Sequence, residues 1–251
     1  MILAPEIIVT VTAFIVLLTD LFLSDKRRHI LGPMALIGLA LGVAAVFNLM
    51  PQTAEALGGR FLFNPVTAWF KILFLLSGAF TVVFCWQSDN KEKVTPPGEF
   101  YAVMLFTLAG MMFLISAQDL ITLYISLELA TIPLFALVAW RRGNPLSGEA
   151  GLKYVIYGAL ASGLLLYGLG LLYGLTGSAN LSVIGQTFTS TSTSATPALW
   201  LAAGLILAGI GFKITMVPFH MWAADVYQGA PTAVTAYLSV ASKSAGMAFM
   251  F

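Results

Sequence analysis

The sequence predicts an all-α, polytopic transmembrane helical bundle with a discontinuous seventh helix, and three observations carry that prediction. The 251 residues are 59% hydrophobic and only 9% charged, with a mean hydropathy of +0.92, whereas soluble domains carry about a quarter charged residues. The apolar residues fall in long runs rich in Leu, Gly, Phe and Met, which suits membrane helices and not the alternating pattern of a membrane barrel. From Gly211 to Gly246 one such run is interrupted by Pro218, Gly229 and Pro231, residues that do not sustain continuous helical hydrogen bonding.

Windows of about 20 residues place spans at 5–23, 31–49, 65–87, 99–116, 119–140, 149–174, 198–220 and 231–251 of one transmembrane domain. The first span starts at Pro5 and Glu6 with no basic segment ahead of it and no small-residue cleavage site behind it, so it reads as a retained span and not a signal peptide. The joint at 24–29 (SDKRRH) is charged, 51–64 is rich in Gly and Pro, and 87–99 mixes both signs before a Pro pair. Residues 116–119 form a tight turn, 141–149 (RRGNPLSGE) is basic, and 177–197 reads as an exposed, mobile Ser/Thr-rich loop. The eighth span reaches Phe251 with no polar flank, which predicts that the chain is the first part of a longer protein.

Short basic joints stay cytoplasmic. The joints after the first, third and fifth spans hold Lys26, Arg27, Arg28, Lys91, Lys93, Arg141 and Arg142, whereas the alternate joints hold only Arg60. The amino terminus is therefore expected outside, as is the Ser/Thr-rich loop. Lys71, near the outer end of the third span, reads as a snorkelling interface anchor. One cysteine, Cys85, rules out an internal disulfide and a cysteine-based cluster, and no nucleotide, haem or metal motif stands out. Gly158, Gly163, Gly168, Gly170, Gly204, Gly209 and Gly211 follow small-residue patterns that let helices approach closely.

The chemistry lies in charges placed where they are expensive. An ionisable group near the bilayer centre costs at least about 2.5 kcal/mol and calls for a partner or a task. Glu128 lies roughly 13 Å into the fifth span, Lys213 about 22 Å along the seventh and Lys243 about 18 Å along the eighth, so all three are expected at mid-depth of a core about 30 Å thick. Burial favours the neutral form of a carboxyl or amine and mutual proximity favours the charged forms, so such a set is a switchable proton site. A static ion pair that fixes packing is the alternative. Lys153, about four residues into the sixth span, is a snorkelling residue or an intermediate relay, and His220 is a relay or a donor to a carbonyl orphaned by the break. Asp119, Asp225 and Glu149 read as helix caps.

The stretch GFKITMVPFHMWAADVYQGAPTAVTAYLSVASKSAG at 211–246, with LELATIPLFALVAWRR at 127–142 and EAGLKYVIYGALASGLLLYG at 149–168, resembles the antiporter-like membrane subunits of respiratory complex I, the bacterial NADH:quinone oxidoreductase. The resemblance implies about fourteen helices with two inverted repeats of about five, each with one broken helix, of which this chain covers the opening helices and the first repeat. It implies proton handling by Glu128, Lys213 and Lys243, with Lys153 secondary, and driving energy from quinone reduction elsewhere; His220 stays a secondary candidate on its position alone. It also implies other membrane-arm subunits and the lipid bilayer as partners. Quinone, FMN and iron–sulfur clusters are then expected in partner subunits, with no cofactor, direct NADH binding or nucleic acid in this chain. Ala223, Ala224, Gln228 and Ala233 depart from the family pattern around the break while sparing the charges. A multi-subunit sodium/proton antiporter would use the same lysines, and a purely structural scaffold would use none of them.

Overall fold

The computed structural model describes residues 2–87, 96–190 and 196–249. The joint residues Lys91 and Lys93 and the expected end of the eighth span at 250–251 lie outside them. Seven helical segments are long and apolar enough to cross a membrane. They are built on α1 (Ala4–Phe22), α2 (Leu31–Leu49, entered through a 3₁₀ turn at Asp25–Ile30), α3 (Pro65–Trp86), α4 (Pro97–Ser116), α5 (Leu120–Val138), α6 (Pro145–Thr176) and, after a short α7 (Leu181–Ser190), α8 (Pro197–Ile214). Three further short helices follow: α9 (Trp222–Gly229), α10 (Thr232–Tyr237) and α11 (Lys243–Ala248).

Local chemistry sets the helix starts. Asn64 and Thr67 form a reciprocal capping box on α3, Asp119 accepts from the backbone of Ile121 and Thr122 at the start of α5, and Asn144 and Thr196 cap α6 and α8. Five of the seven long helices carry proline at the first or second helical position, where the missing N–H removes no helical bond. Asp119 is thus the cap the sequence predicts.

α4 is the hub. Phe100, Met104, Leu105, Leu108, Met111 and Met112 are fully enclosed, and the helix packs against α1, α3 and α5. Gly110 permits the tight α4–α5 crossing, since a Cβ there would lie 2.4 Å from the Ala130 backbone nitrogen. α6 packs on α8 and α9. Outward-facing Phe14, Leu21, Phe22, Phe80, Ile125, Leu160 and Trp200 remain exposed, as lipid-facing residues must.

Three joints on one side of the bundle are stitched together. β1 (Ala54–Ala56) pairs antiparallel with β2 (Phe61–Phe63) in a hairpin turned at Leu57, Gly58 and Gly59, all at positive φ. Gln118 donates its N–H to Arg60 O (2.8 Å), Leu120 donates to Ala179 O (2.9 Å) and Leu181 donates to Gln118 O (3.1 Å). The joints after α2, α4 and α6 therefore share one face.

Four expectations are corrected. Part of the predicted mobile loop at 177–197 is α7, begun by Asn180, whose Oδ1 accepts from Ser182 and Val183 N–H. The seventh span ends at Ile214, before Pro218, because Thr215 takes a left-handed conformation (φ 62°, ψ 40°) that the α-helix does not accommodate. The eighth is not continuous α-helix; a five-residue π turn at Leu238–Ser242 separates α10 from α11. Lys71 is not an interface anchor, being fully buried. Of the glycines read as packing sites, Gly158, Gly168, Gly209 and Gly211 do sit against neighbours, whereas a Cβ at Gly163, Gly170 or Gly204 would meet nothing within 4 Å.

Candidate functional site: a buried lysine line at the broken helix

The break after α8 is held by protein groups. Thr215 N–H bonds Phe212 O (3.1 Å), Met216 N–H bonds Gly211 O (2.7 Å), and Trp222 Nε1 donates to Phe212 O at 3.2 Å. Carbonyls freed at the helix end thus keep partners without leaving the bundle. Beneath them Trp222 stacks on Tyr154 (ring centroids 4.9 Å) and leans on Phe212 (4.9 Å), while Phe135 meets Tyr154 edge-on at 4.9 Å. These rings tie α5, α6, α8 and α9 together around the turn at 217–221.

Lys213 occupies the last turn of α8, where the helix dipole favours a cation. It is only 4% exposed. Its Nζ donates to Thr131 Oγ1 at 2.6 Å, and the Thr131 hydroxyl donates in turn to Leu127 O at 2.6 Å. Glu128 sits on α5 three residues before Thr131, half-buried, with Oε1 buried and without a hydrogen-bond partner among the described residues. Among the described residues Glu128 and Lys213 form no direct ion pair. The expected direct Glu128–Lys213 pair is thus replaced by a hydrogen bond from Lys213 to Thr131, three residues along α5 from Glu128.

Lys243 begins α11, directly after the π turn, and Nζ donates to Thr215 Oγ1 at 2.8 Å. The same amine stands 5.5 Å above the ring of Tyr227, within cation–π range. Gly246, one turn further along α11, lies against the Lys213 stem: a Cβ there would be 3.0 Å from Lys213 Cγ and 2.7 Å from Ile214 Cγ2. The polar line thus joins Thr131 on α5 to Lys213 on α8, and Thr215 to Lys243 on α11.

The secondary candidates lie apart from it. Lys153 is 36% exposed in its side chain and pairs with Glu149 (2.7 Å) and Asp225 (2.5 Å). Glu149 and Asp225 are therefore lysine partners and not the caps expected, because the α6–α9 packing carries Asp225 over the α6 residue Lys153. His220 and Pro218 are both exposed in the turn, and the His220 ring makes no hydrogen bond or ion pair among the described residues. Gly229 lets α9 meet α6, since a Cβ would lie 2.4 Å from Leu146 O, and Pro231 is the N-cap of α10.

Sequence reading missed Thr131, Thr215 and Tyr227. Thr131 carried a usable signal, being three residues from Glu128 on the same helical face. Thr215 carried none, since a β-branched residue is a poor choice for a left-handed helix end.

Fold and site together define a class: a polytopic helical membrane protein with ionisable side chains gathered at a broken helix. The family model described as NADH:quinone oxidoreductase/Mrp antiporter, transmembrane, matches residues 117–251, more than half of the chain, and the chain belongs to that family. NADH-quinone oxidoreductase subunit N of Desulfovibrio desulfuricans is 41% identical across 99% of this chain and 50% of its own length. The subunit N of Chlorobium chlorochromatii is 39% identical across 98% and 48%. In respiratory complex I from Thermus thermophilus with bound aureothin, a chain superposes with a TM-score of 0.79 at 33% identity, covering 98% of this chain and 52% of that one. A chain of the Mrp complex from Dietzia matches with a TM-score of 0.75 at 24% identity, covering 98% and 48%, and shares the fold. The resemblance to antiporter-like complex I subunits is borne out, and the chain spans about half the length of the curated relatives it matches.

Proposed function

We propose that this chain is the proton-handling first repeat of a membrane-arm subunit of a complex I type NADH:quinone oxidoreductase, in a bacterial plasma membrane with the amino terminus outside. The subunit carries no redox centre. Quinone, FMN and iron–sulfur clusters belong to partner subunits, NADH binds elsewhere, and quinone reduction supplies the driving energy. One observation supports the reading above the rest: each of two lysines within apolar helices is held by a threonine hydroxyl, on either side of a broken helix.

A proton on Lys213 has one hydrogen-bonded exit, the Thr131 oxygen. For it to leave toward Glu128, the Thr131 hydroxyl hydrogen turns from Leu127 O toward the carboxylate, which then receives it. Burial favours the neutral form of a carboxyl or an amine and mutual proximity the charged forms, so the separation of Glu128 and Lys213 is what sets the exchange. Lys243 continues the line beyond the break through Thr215. Lys153 serves as a secondary site at the exposed rim. His220 keeps a subordinate place, since it is exposed in the turn.

In the intact complex reconstituted in vesicles, Lys213→Ala and Glu128→Ala are each expected to lower proton pumping per NADH oxidised while assembly is preserved. Full pumping in both variants overturns the relay. Copurification with NADH-oxidising subunits supports the complex I reading; copurification only with sodium/proton antiporter subunits replaces it with the alternative.

A further inference from the structure

Glu6 and Lys71 form a second buried charge pair, away from the lysine line. Lys71 Nζ lies 2.7 Å from Glu6 Oε1, and both side chains are 0% exposed. Within α1 to α4 the acidic and basic residues are Glu6, Asp20, Lys71 and Glu99. Asp20 and Glu99 meet arginines of the basic joints, Arg28 at 2.9 Å and Arg142 at 3.8 Å, on the far side of the bundle from the stitched joints. Glu6 and Lys71 have no such outlet. Glu6 belongs to the first turn of α1, where the dipole favours an anion. α1 and α3 lie across a four-helix unit from each other, each packed on α2 and α4.

The pair is enclosed but not satisfied. Among the described residues neither side chain has a hydrogen-bond partner beyond the other, and Glu6 Oε2 has none. A ring also faces the amine: Lys71 Nζ sits 4.8 Å from the centroid of Phe63, a buried residue of β2. A pair kept only to fasten helices is expected to have its lone pairs and N–H groups occupied, because a half-satisfied buried network is worse than an apolar one. Here a carboxylate oxygen and ammonium hydrogens stay free in a closed site, and the buried ring of Phe63, a residue of the hairpin at the joint face, lies against the amine.

We infer that Glu6 and Lys71 are a second proton-exchange site, a carboxylate and an amine that pass a proton between them, with the Phe63 ring against the amine. The transfer balances within the pair: the Lys71 N–H bond breaks as the Glu6 O–H bond forms, leaving neutral amine and carboxylic acid, and the reverse step restores the ions. The free Oε2 is where a water or the next carrier attaches. The inference rests on the proton-handling reading above.

The test uses the intact complex in vesicles, with Glu6→Gln, Lys71→Met, the double variant and Lys213→Ala compared for assembly and for protons moved per NADH oxidised. Glu6→Gln and Lys71→Met are each expected to lower pumping by at least about tenfold, a modest share of what a positioned proton donor contributes, and the double variant to stay low. Wild-type pumping by either assembled single variant overturns the inference. So does recovery in the double variant, which would mark a static pair whose sole defect is a stranded charge. Where a single variant does not assemble, the double variant decides, since it leaves no lone buried charge. Lys213→Ala separates the two readings: a loss there beside full pumping by Glu6→Gln sinks only this inference, and full pumping by Lys213→Ala sinks the parent reading.

Discussion

Thr215 Oγ1 accepts a hydrogen bond from Lys243 Nζ at 2.8 Å while the Thr215 backbone holds φ at 62°, two residues beyond Lys213. A β-branched residue rarely stays in that region, and holding it there costs on the order of 1–3 kcal/mol. Strain and function therefore share one residue. Thr215→Gly is expected to relieve the strain and raise the thermal stability of the assembled complex, while pumping falls because Lys243 loses its acceptor. A stability scan beside a vesicle assay checks both signs, and unchanged pumping would remove Thr215 from the line.

Thr131 permits a cleaner comparison. Thr131→Val keeps the shape and deletes the only hydrogen-bond partner of Lys213 among the described residues, leaving a buried polar group unpaired at about 1–3 kcal/mol. Pumping is expected to drop in Thr131→Val and to return in Thr131→Ser, which restores the hydroxyl. Equal activity in the two variants would count against a role for the hydroxyl.

Gly246 tests positioning. In Gly246→Ala the new methyl falls 3.0 Å from Lys213 Cγ and 2.7 Å from Ile214 Cγ2, so the lysine stem or α11 must shift. Lower pumping with normal assembly is expected. Gly204→Ala is the control, since a Cβ there meets nothing within 4 Å and alanine favours helix; its pumping should match the parent.

Lys153 pairs with Glu149 and Asp225 at the surface, where water and salt screen the charges. Lys153→Ala is expected to lower pumping less than Lys213→Ala does, measured side by side in the same vesicles. A loss as large as that of Lys213→Ala would promote Lys153 from the rim into the main path.

Much of the architecture was legible because apolar run length and polar joints obey the bilayer. The spans at 31–49 and 65–87 differ by at most one residue from the helices Leu31–Leu49 and Pro65–Trp86. The break was legible as a region and misplaced in detail: Pro218 advertises itself, whereas the backbone of Thr215 ends the helix and no residue-type preference announces it. Glu128, Lys213 and Lys243 stood out because charge in apolar sequence is rare. Their threonine partners did not, since a threonine in a membrane helix more often bonds its own backbone, as Thr12 and Thr81 do here. Lys71 was misread for a related reason. Nearness to a span end permits snorkelling, but partner geometry decides, and Glu6 comes from a different helix.

The stitched joints carry one more consequence. The hairpin at 54–63, the corner at 117–119 and the segment at 179–181 are bonded edge to edge, while the turn at 217–221 on α8 is an exposed loop. The bundle is accordingly a cup sewn at its brim, with α5 and α6 anchored at one rim.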